Sequence, residues 1–401
     1  MFQQSRRAAR IKPSPAIAVS VQAKALARQG IDVVDLSVGE PDFDTPAHVR
    51  AAAVVAMEAG ETHYTAADGT AALKQAIAAA FLRDYGLRFE PAEITAANGA
   101  KQVICNALLA TLDPGDEVIV PAPYWVSYTD LVLLADGTPV EVACPAAAGF
   151  KLSPEALEAA ITPRSRWLLL NAPSNPTGAA YSEAELKALG EVLDRHPHVM
   201  ILADEIYDLI RYDGGAPLSF LSVNPGLRGR TLVVNGVSKA YAMTGWRLGY
   251  GAGPAELVTA MAKIQSQATS NPSSISQAAA IAALTGPQDF VATALAEYQA
   301  RRDLVMELLE DIPQLTPHRP DGAFYVYIDC SALIGCRSVD GSVLEDDAGV
   351  ARFLLDVARV AVVPGAAFGA QPFFRISFAT SRVRLTEGCT RMAAAIKDLT
   401  R

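Results

Sequence analysis

The chain has 401 residues, of which 51% are hydrophobic and 19% charged. That length and mix exclude a disordered or fibrous protein and predict two domains, or one large and one partial, around a sizeable core. With 34 basic against 43 acidic residues the net charge is -9. No cationic surplus is therefore available to displace counterions from a nucleic-acid backbone, and any anion-binding charge has to be gathered in a pocket.

At the N-terminus, Arg6, Arg7, Arg10 and Lys12 are followed by no apolar signal core, and the stretch is short for a transit peptide. We read it as a basic arm lying on a neighbouring subunit. The five cysteines, Cys105, Cys144, Cys330, Cys336 and Cys389, are odd in number and show no CxxC or Cys/His ligand spacing. Reduced core thiols and the lack of an apolar run long enough to cross a bilayer predict a cytoplasmic protein.

Helical periodicity covers Thr70–Arg83 and Lys101–Thr111, then β-branched apolar runs at Glu117–Val120 and Trp167–Asn171 read as strands. A helix over Ser182–Arg195 opens on a capping box, with Ser182 as N-cap and Glu185 three residues on. Strands are predicted at Met200–Ala203, Thr231–Asn235 and Leu248–Ala252, and a helix at Pro254–Gln267. This alternation is that of helices packed on a mainly parallel sheet, whose crevice opens at the carboxyl ends of the strands. From Gln288 a long amphipathic helix runs to Asp311, followed by strand-like Phe324–Asp329, Val360–Val363 and Phe374–Phe378. We expect residues 1–44 and 288–401 to form a smaller α+β domain from both chain ends, and 45–287 a large α/β domain.

The most telling stretch is Ser238-Lys239-Ala240-Tyr241-Ala242-Met243-Thr244-Gly245-Trp246-Arg247. A lysine becomes an imine-forming nucleophile when burial and neighbouring cations depress its pKa, and Ser238 and Arg247 can hold a phosphate beside it. That grouping suits pyridoxal 5'-phosphate, although a lone lysine after a strand is ordinary. Asp204, directly after a predicted strand, can keep a pyridinium nitrogen protonated, and Tyr207 three residues on can donate to the ring's phenolate oxygen. In Asn171-Ala172-Pro173-Ser174-Asn175-Pro176-Thr177-Gly178, Asn175 precedes a proline and is driven out of the helical region, so its amide can face a ligand. The amides of Gly99, Ala100 and Lys101 open an apolar helix and can take a phosphate. Trp125 offers a flat face to an aromatic ring.

Together these segments resemble the fold-type-I pyridoxal-phosphate enzymes, and within them the class I aminotransferases of the aspartate aminotransferase family, over nearly the whole chain. The resemblance rests on Gly39-Glu40-Pro41-Asp42-Phe43, His63-Tyr64, Asn98–Gln102, Ser174–Gly178, Asp204–Tyr207, Ser238–Arg247 and Phe374-Arg375-Ile376-Ser377, in the family's order. Lys12-Pro13-Ser14-Pro15 and Ala122–Tyr128 are similar to the bacterial branch that includes aspartate/prephenate aminotransferases. The resemblance implies a large domain with a seven-stranded-type sheet covered by helices, and a homodimer with shared active sites. It implies that Lys239 holds the cofactor covalently and later carries a proton, that Asp204 pairs with the ring nitrogen, Tyr207 and Asn175 with the phenolate oxygen, and that Trp125 stacks on the ring. Gly99, Ala100, Ser238 and Arg247 would bind the phosphate, helped by Tyr64 from the other subunit. Arg375 would bind the substrate α-carboxylate as a bidentate fork, with Gly39 and Asn175 adding hydrogen bonds.

Lys101 is the expected determinant of side-chain preference, because an ammonium at the helix start reaches a second carboxylate. This favours transfer between aspartate and 2-oxoglutarate. Ala16 stands where many members of the resembled branch carry threonine, which weakens a prephenate assignment and leaves room for aromatic or neutral amino acids. Phe368, in a glycine-flanked turn, is expected to cover the site. The competing readings are a β-eliminating lyase of the same fold, which would release pyruvate and ammonia, and a noncatalytic sensor, which the short N-terminus disfavours.

Overall fold

The computed structural model describes every residue except 1, 2, 14, 213 and 216, and the backbone alone at 15 and 16. The Ser14–Ala16 reading therefore lies outside the described side chains. The chain starts with helices α1 (Arg6–Arg10) and α2 (Pro15–Arg28), strand β1 (Val34–Asp35) and helices α3 (Ala47–Glu58) and α4 (Ala71–Tyr85). Then follow β2 (Ile94–Ala97), α5 (Ala100–Thr111), β3 (Glu117–Ala122), α6 (Tyr128–Leu134), β4 (Thr138–Ala143), α7 (Pro154–Ala160), β5 (Ser165–Asn171) and α8 (Glu183–Asp194). The central part closes with β6 (Met200–Asp204), α9 (Phe220–Val223), β7 (Thr231–Gly236), β8 (Gly249–Ala252), α10 (Ala255–Ala268) and α11 (Ser274–Thr285).

Seven of these strands make one sheet in the order β2-β8-β7-β6-β5-β3-β4. The pairs from β4 to β7 are parallel. Strands β6 and β7 are buried almost throughout, as expected for strands covered on both faces. Strand β8 pairs antiparallel with both neighbours. Only the short segment carrying Lys239 joins β7 to β8, and without a crossover helix the chain returns in the opposite direction. The expected alternation is thus interrupted at the strand that follows the lysine. The capping box forms as expected: Ser182 Oγ accepts from the Glu185 amide at 3.3 Å, while the Glu185 carboxylate accepts from the Ser182 amide at 2.8 Å. It starts a helix that buries Leu186, Leu189, Val192 and Leu193 on one stripe.

The C-terminal part consists of α12 (Asp289–Glu310), β9 (Thr316–His318), β10 (Tyr325–Asp329), α13 (Asp347–Asp356), β11 (Val360–Ala361), β12 (Val363–Pro364), β13 (Phe373–Ser377) and α14 (Arg382–Lys397). Its sheet runs β12-β13-β10-β9. The single strand expected over Val360–Val363 divides in two. Val360–Ala361 pairs in parallel with β1, and Val363–Pro364 pairs antiparallel with β13. Val34 and Leu36, from the other end of the chain, join the same hydrophobic cluster as Phe324, Val360, Phe374 and Leu385.

The basic arm does not reach away from the chain. Arg7 and Arg10 both pair with Asp136, and the Lys12 amide donates to Asp130 Oδ1 at 3.2 Å, which fastens α1 to α6 of the same chain. These contacts give the arm a place on its own chain, against acidic partners whose position the local sequence does not reveal.

Candidate active site

The carboxyl ends of β5, β6 and β7 and the start of α5 surround a cavity of about 510 Å³. Lys239, Asp204, Tyr207, Asn175, Ser238, Arg247, Ala100, Lys101, Trp125, Gly39 and Arg375 all line it. Register places Asn171 beside Asp204 and Asp204 beside Val234, so neighbouring strands deliver their polar ends to one place.

Lys239 Nζ donates to the Gly39 carbonyl at 2.6 Å. Burial pushes its pKa down to about 8, with Arg375 and Arg247 acting in the same direction and Glu40 and Asp204 against it. Asp204 is 4% exposed. Its Oδ2 accepts from Tyr128 Oη at 2.6 Å, and its Oδ1 accepts from the Ile206 amide at 3.3 Å. Burial pushes its carboxyl up to about 6, and these hydrogen bonds and the Lys239 charge pull the other way. The Tyr207 hydroxyl shares a hydrogen bond with the Tyr325 hydroxyl at 2.8 Å.

Arg375, 3% exposed, is held by Asn175 Oδ1 at 2.8 Å and the Ser37 carbonyl at 2.7 Å. Its guanidinium lies 4.3 Å from the Tyr325 ring centre and 5.0 Å from that of Phe368. Its Nε is buried without a hydrogen-bond partner. Burial lowers its pKa. Phe368 is fully buried beside Tyr327, Val363 and Phe373. It supports Arg375 from within the core and does not line the cavity, which corrects its reading as a cover.

Gly99 is the N-cap of α5, at φ 89° and with no side chain to occupy the helix amides. A Cβ there would stand 2.6 Å from Arg247 Nη2. Opposite it, a Cβ on Gly249 would lie 2.1 Å from the Ala100 nitrogen, so both glycines are required by close approach. Arg247 is anchored by the Thr244 carbonyl at 2.9 Å. Lys101 Nζ donates to Ser127 Oγ at 3.1 Å and lies 4.7 Å from the Trp125 ring centre. Burial and then Arg247 lower its pKa.

Tyr64 stands apart from the other predicted residues, 90% exposed and off the cavity wall. Sequence reading missed Tyr128, Tyr325 and Glu40 as parts of the site. Glu40 Oε2 accepts from Thr244 Oγ1 at 3.0 Å, and its neighbour Asp42 is paired with Arg301 at 2.7 Å, which pins the loop that holds the lysine. The i, i+3 spacing of Trp125 and Tyr128 was the available signal for the first. Among the described residues no group of three or more His, Cys, Asp or Glu side chains is arranged for a metal ion.

The crevice thus gathers one lysine, a buried carboxylate and a buried arginine, a set that suits an enzyme acting on amino acids. The chain belongs to the family Aminotransferase class I and II, whose profile matches residues 31–392. It is 56% identical over 386 residues to the aspartate/prephenate aminotransferase of Cereibacter sphaeroides, covering 96% of each chain. Its structure is similar to that of the aspartate aminotransferase from Rhizobium meliloti, with a TM-score of 0.97, 54% identity and 100% of both chains covered. It is also similar to the Thermus thermophilus aspartate aminotransferase solved with maleate, with a TM-score of 0.92 and 43% identity over 98% of this chain and 100% of that one.

Proposed function

We propose that the protein transfers the amino group of L-aspartate to 2-oxoglutarate with pyridoxal 5'-phosphate as cofactor. The observation that carries this reading is the presence of Arg375 and Lys101, two cations at different parts of the wall, in the cavity that holds Lys239. A substrate with two carboxylates satisfies both.

The residues present fit the cofactor. The uncapped start of α5, Ser238 and Arg247 form a cradle for its phosphate, kept open by Gly99 and Gly249. Asp204 would hold the ring nitrogen, Tyr207 and Asn175 the phenolate oxygen, and Trp125 the ring face. Bound pyridoxal phosphate supplies an electron sink for the charge left when the substrate loses its α-proton.

Arg375 orients the substrate through its α-carboxylate, and its buried, unpartnered Nε leaves donor capacity for it. Lys239, with a pKa near 8, is neutral in a useful fraction at neutral pH and takes the proton at the α-carbon. Asp204 stays largely ionised at pH 7, because its carboxyl titrates near 6. Lys101 fixes the distal carboxylate.

The maleate carried by the Thermus relative, itself a dicarboxylate, supports this choice. A second reading, acceptance of prephenate, is supported by the name of the Cereibacter relative and by Ile17 and Val21, apolar and largely exposed, on the cavity wall. Purified enzyme assayed with aspartate and 2-oxoglutarate should form glutamate and oxaloacetate. Release of pyruvate, ammonia and the sulfur leaving group from a cysteine-type substrate, with no reaction of aspartate, would point to the lyase chemistry instead.

We propose further that the enzyme is a cytoplasmic homodimer in which Tyr64 reaches the partner's phosphate site. Tyr64 and the exposed Val54, Val55 and Met57 of the preceding helix support this, and the five free cysteines suit a reducing compartment. Residues 1–44 with 288–401 would move as the smaller domain against 45–287. Sedimentation as a fully active monomer would contradict the shared site.

A further inference from the structure

Asp204 is the only carboxylate among the cavity-lining residues that is buried, and its surroundings do little to keep it charged. Glu205, next in the chain, is buried as well and accepts from Ser219 Oγ at 3.0 Å and the Phe220 amide at 2.7 Å; burial pushes its carboxyl up to about 8, and it offers Asp204 no counter-charge. Tyr207, from the same turn, shares its hydroxyl hydrogen bond with Tyr325 and makes none to Asp204. Lys239 contributes favourable charge without a hydrogen bond to Asp204. Asn171 Nδ2 donates to the backbone carbonyl of Asp204 at 2.8 Å and leaves the carboxylate itself untouched. The Ile206 amide, at 3.3 Å, is a long contact.

That leaves Tyr128 Oη, at 2.6 Å, as the one short donor to the carboxylate. Tyr128 is 2% exposed, so water does not replace it. Its ring also meets Trp125 edge to face, with centroids 5.3 Å apart and planes at 85°. The residue is the first of α6, the helix to which the N-terminal arm is tied through Asp130 and Asp136. One side chain thus braces two walls of the cavity.

We infer that Tyr128 is a positioning residue that keeps Asp204 ionised and aimed at the cofactor's ring nitrogen while fixing the edge of Trp125. This rests on the cofactor reading above and goes beyond it by assigning a residue that touches neither cofactor nor substrate. The physical basis is that a hydrogen bond donated to a buried carboxylate favours its charged form, and that an outer-sphere partner sets the orientation of the group in contact with the ligand. Burial alone drives Asp204 towards the neutral acid, which could no longer hold a pyridinium cation by charge.

The test is the pH dependence of pyridoxal phosphate affinity, titrated by absorbance into apo-enzyme, for the unaltered protein and for Tyr128→Phe, with a thermal melt as folding check. Below the fall that Lys239 sets as it becomes an ammonium, affinity should fall a second time as Asp204 protonates. In Tyr128→Phe this acid limb should move up by about one to two pH units, the worth of one hydrogen bond to a charged group. In an Asp204→Asn background the tyrosine substitution should leave affinity unchanged within twofold, because the group it acts through is gone. If Tyr128→Phe does not fold, 3-fluorotyrosine at position 128 keeps the shape and donates more strongly, and it should move the limb down. An acid limb unmoved by either replacement, or an equal loss of affinity with and without Asp204, overturns the inference. Failure of the unaltered protein to take up pyridoxal phosphate at any pH removes the cofactor reading, and this inference with it.

Discussion

Asn175 and Arg375, 200 positions apart, meet through a 2.8 Å hydrogen bond from the guanidinium to the amide oxygen. One comes from the turn after β5 and the other from β13, so the bond joins the central sheet to the C-terminal one at the cavity wall. With the Ser37 carbonyl on its other arm and rings of Tyr325 and Phe368 against its plane, Arg375 has one geometry available to it.

That geometry depends on a planar fork. Arg375→Lys keeps the charge but loses the fork, and we expect kcat/KM to fall about a hundredfold for every amino acid substrate alike. Steady-state kinetics with aspartate and with a neutral amino acid check this; a loss confined to aspartate would place the α-carboxylate elsewhere.

Lys101→Met should act in the opposite manner. It removes a single charge-assisted contact to the distal carboxylate, so kcat/KM for aspartate should drop roughly tenfold to a hundredfold while that for alanine or phenylalanine changes little. Equal losses for both classes would show that Lys101 does not read the side chain.

The lysine carries a pH signature. Its pKa in the fold lies near 8, below its ordinary value, because burial disfavours the ammonium. Capture of pyridoxal phosphate by apo-enzyme needs the neutral amine, so its rate should climb with pH to a midpoint near 8 and level off above it. The same depression means that the unfolded chain binds the extra proton, and this group's contribution to stability therefore rises with pH from about 8 to 10.5. A capture rate still rising steeply above pH 10 would contradict a depressed lysine.

Gly249→Ala should be damaging although the residue touches no ligand. Its Cβ would stand 2.1 Å from the Ala100 nitrogen and 2.5 Å from the Gly99 carbonyl carbon, both backbone atoms that cannot rotate away. We expect a loss of about 1–3 kcal/mol in stability and weaker retention of phosphate-bearing cofactor, seen in a melt and in dialysis against phosphate buffer. Unchanged retention would mean that the helix start is not the phosphate cradle.

Much of this was legible along the chain because it is local. The capping box at Ser182, the buried runs of β5, β6 and β7, the glycine at the start of α5 and the hydroxyl-lysine-arginine run all declare themselves within a few residues. Strands β2 and β4 did not: β2 is four residues with two alanines, and β4 is an edge strand with a proline and half-exposed side chains. The supports of the site were also hidden, since Tyr128 meets Asp204 across 76 positions and Tyr325 meets Tyr207 across 118. Such partners are set by how sheets and helices dock, which periodicity does not encode.

The most direct test of the proposed function is the absorbance spectrum of the enzyme loaded with pyridoxal phosphate, before and after addition of L-aspartate with no oxo acid present. We predict that the band of the lysine-bound cofactor gives way to that of the aminated cofactor, with oxaloacetate released in equal amount, and that Lys239→Ala shows neither. A spectrum that aspartate leaves unchanged would contradict aspartate as the donor.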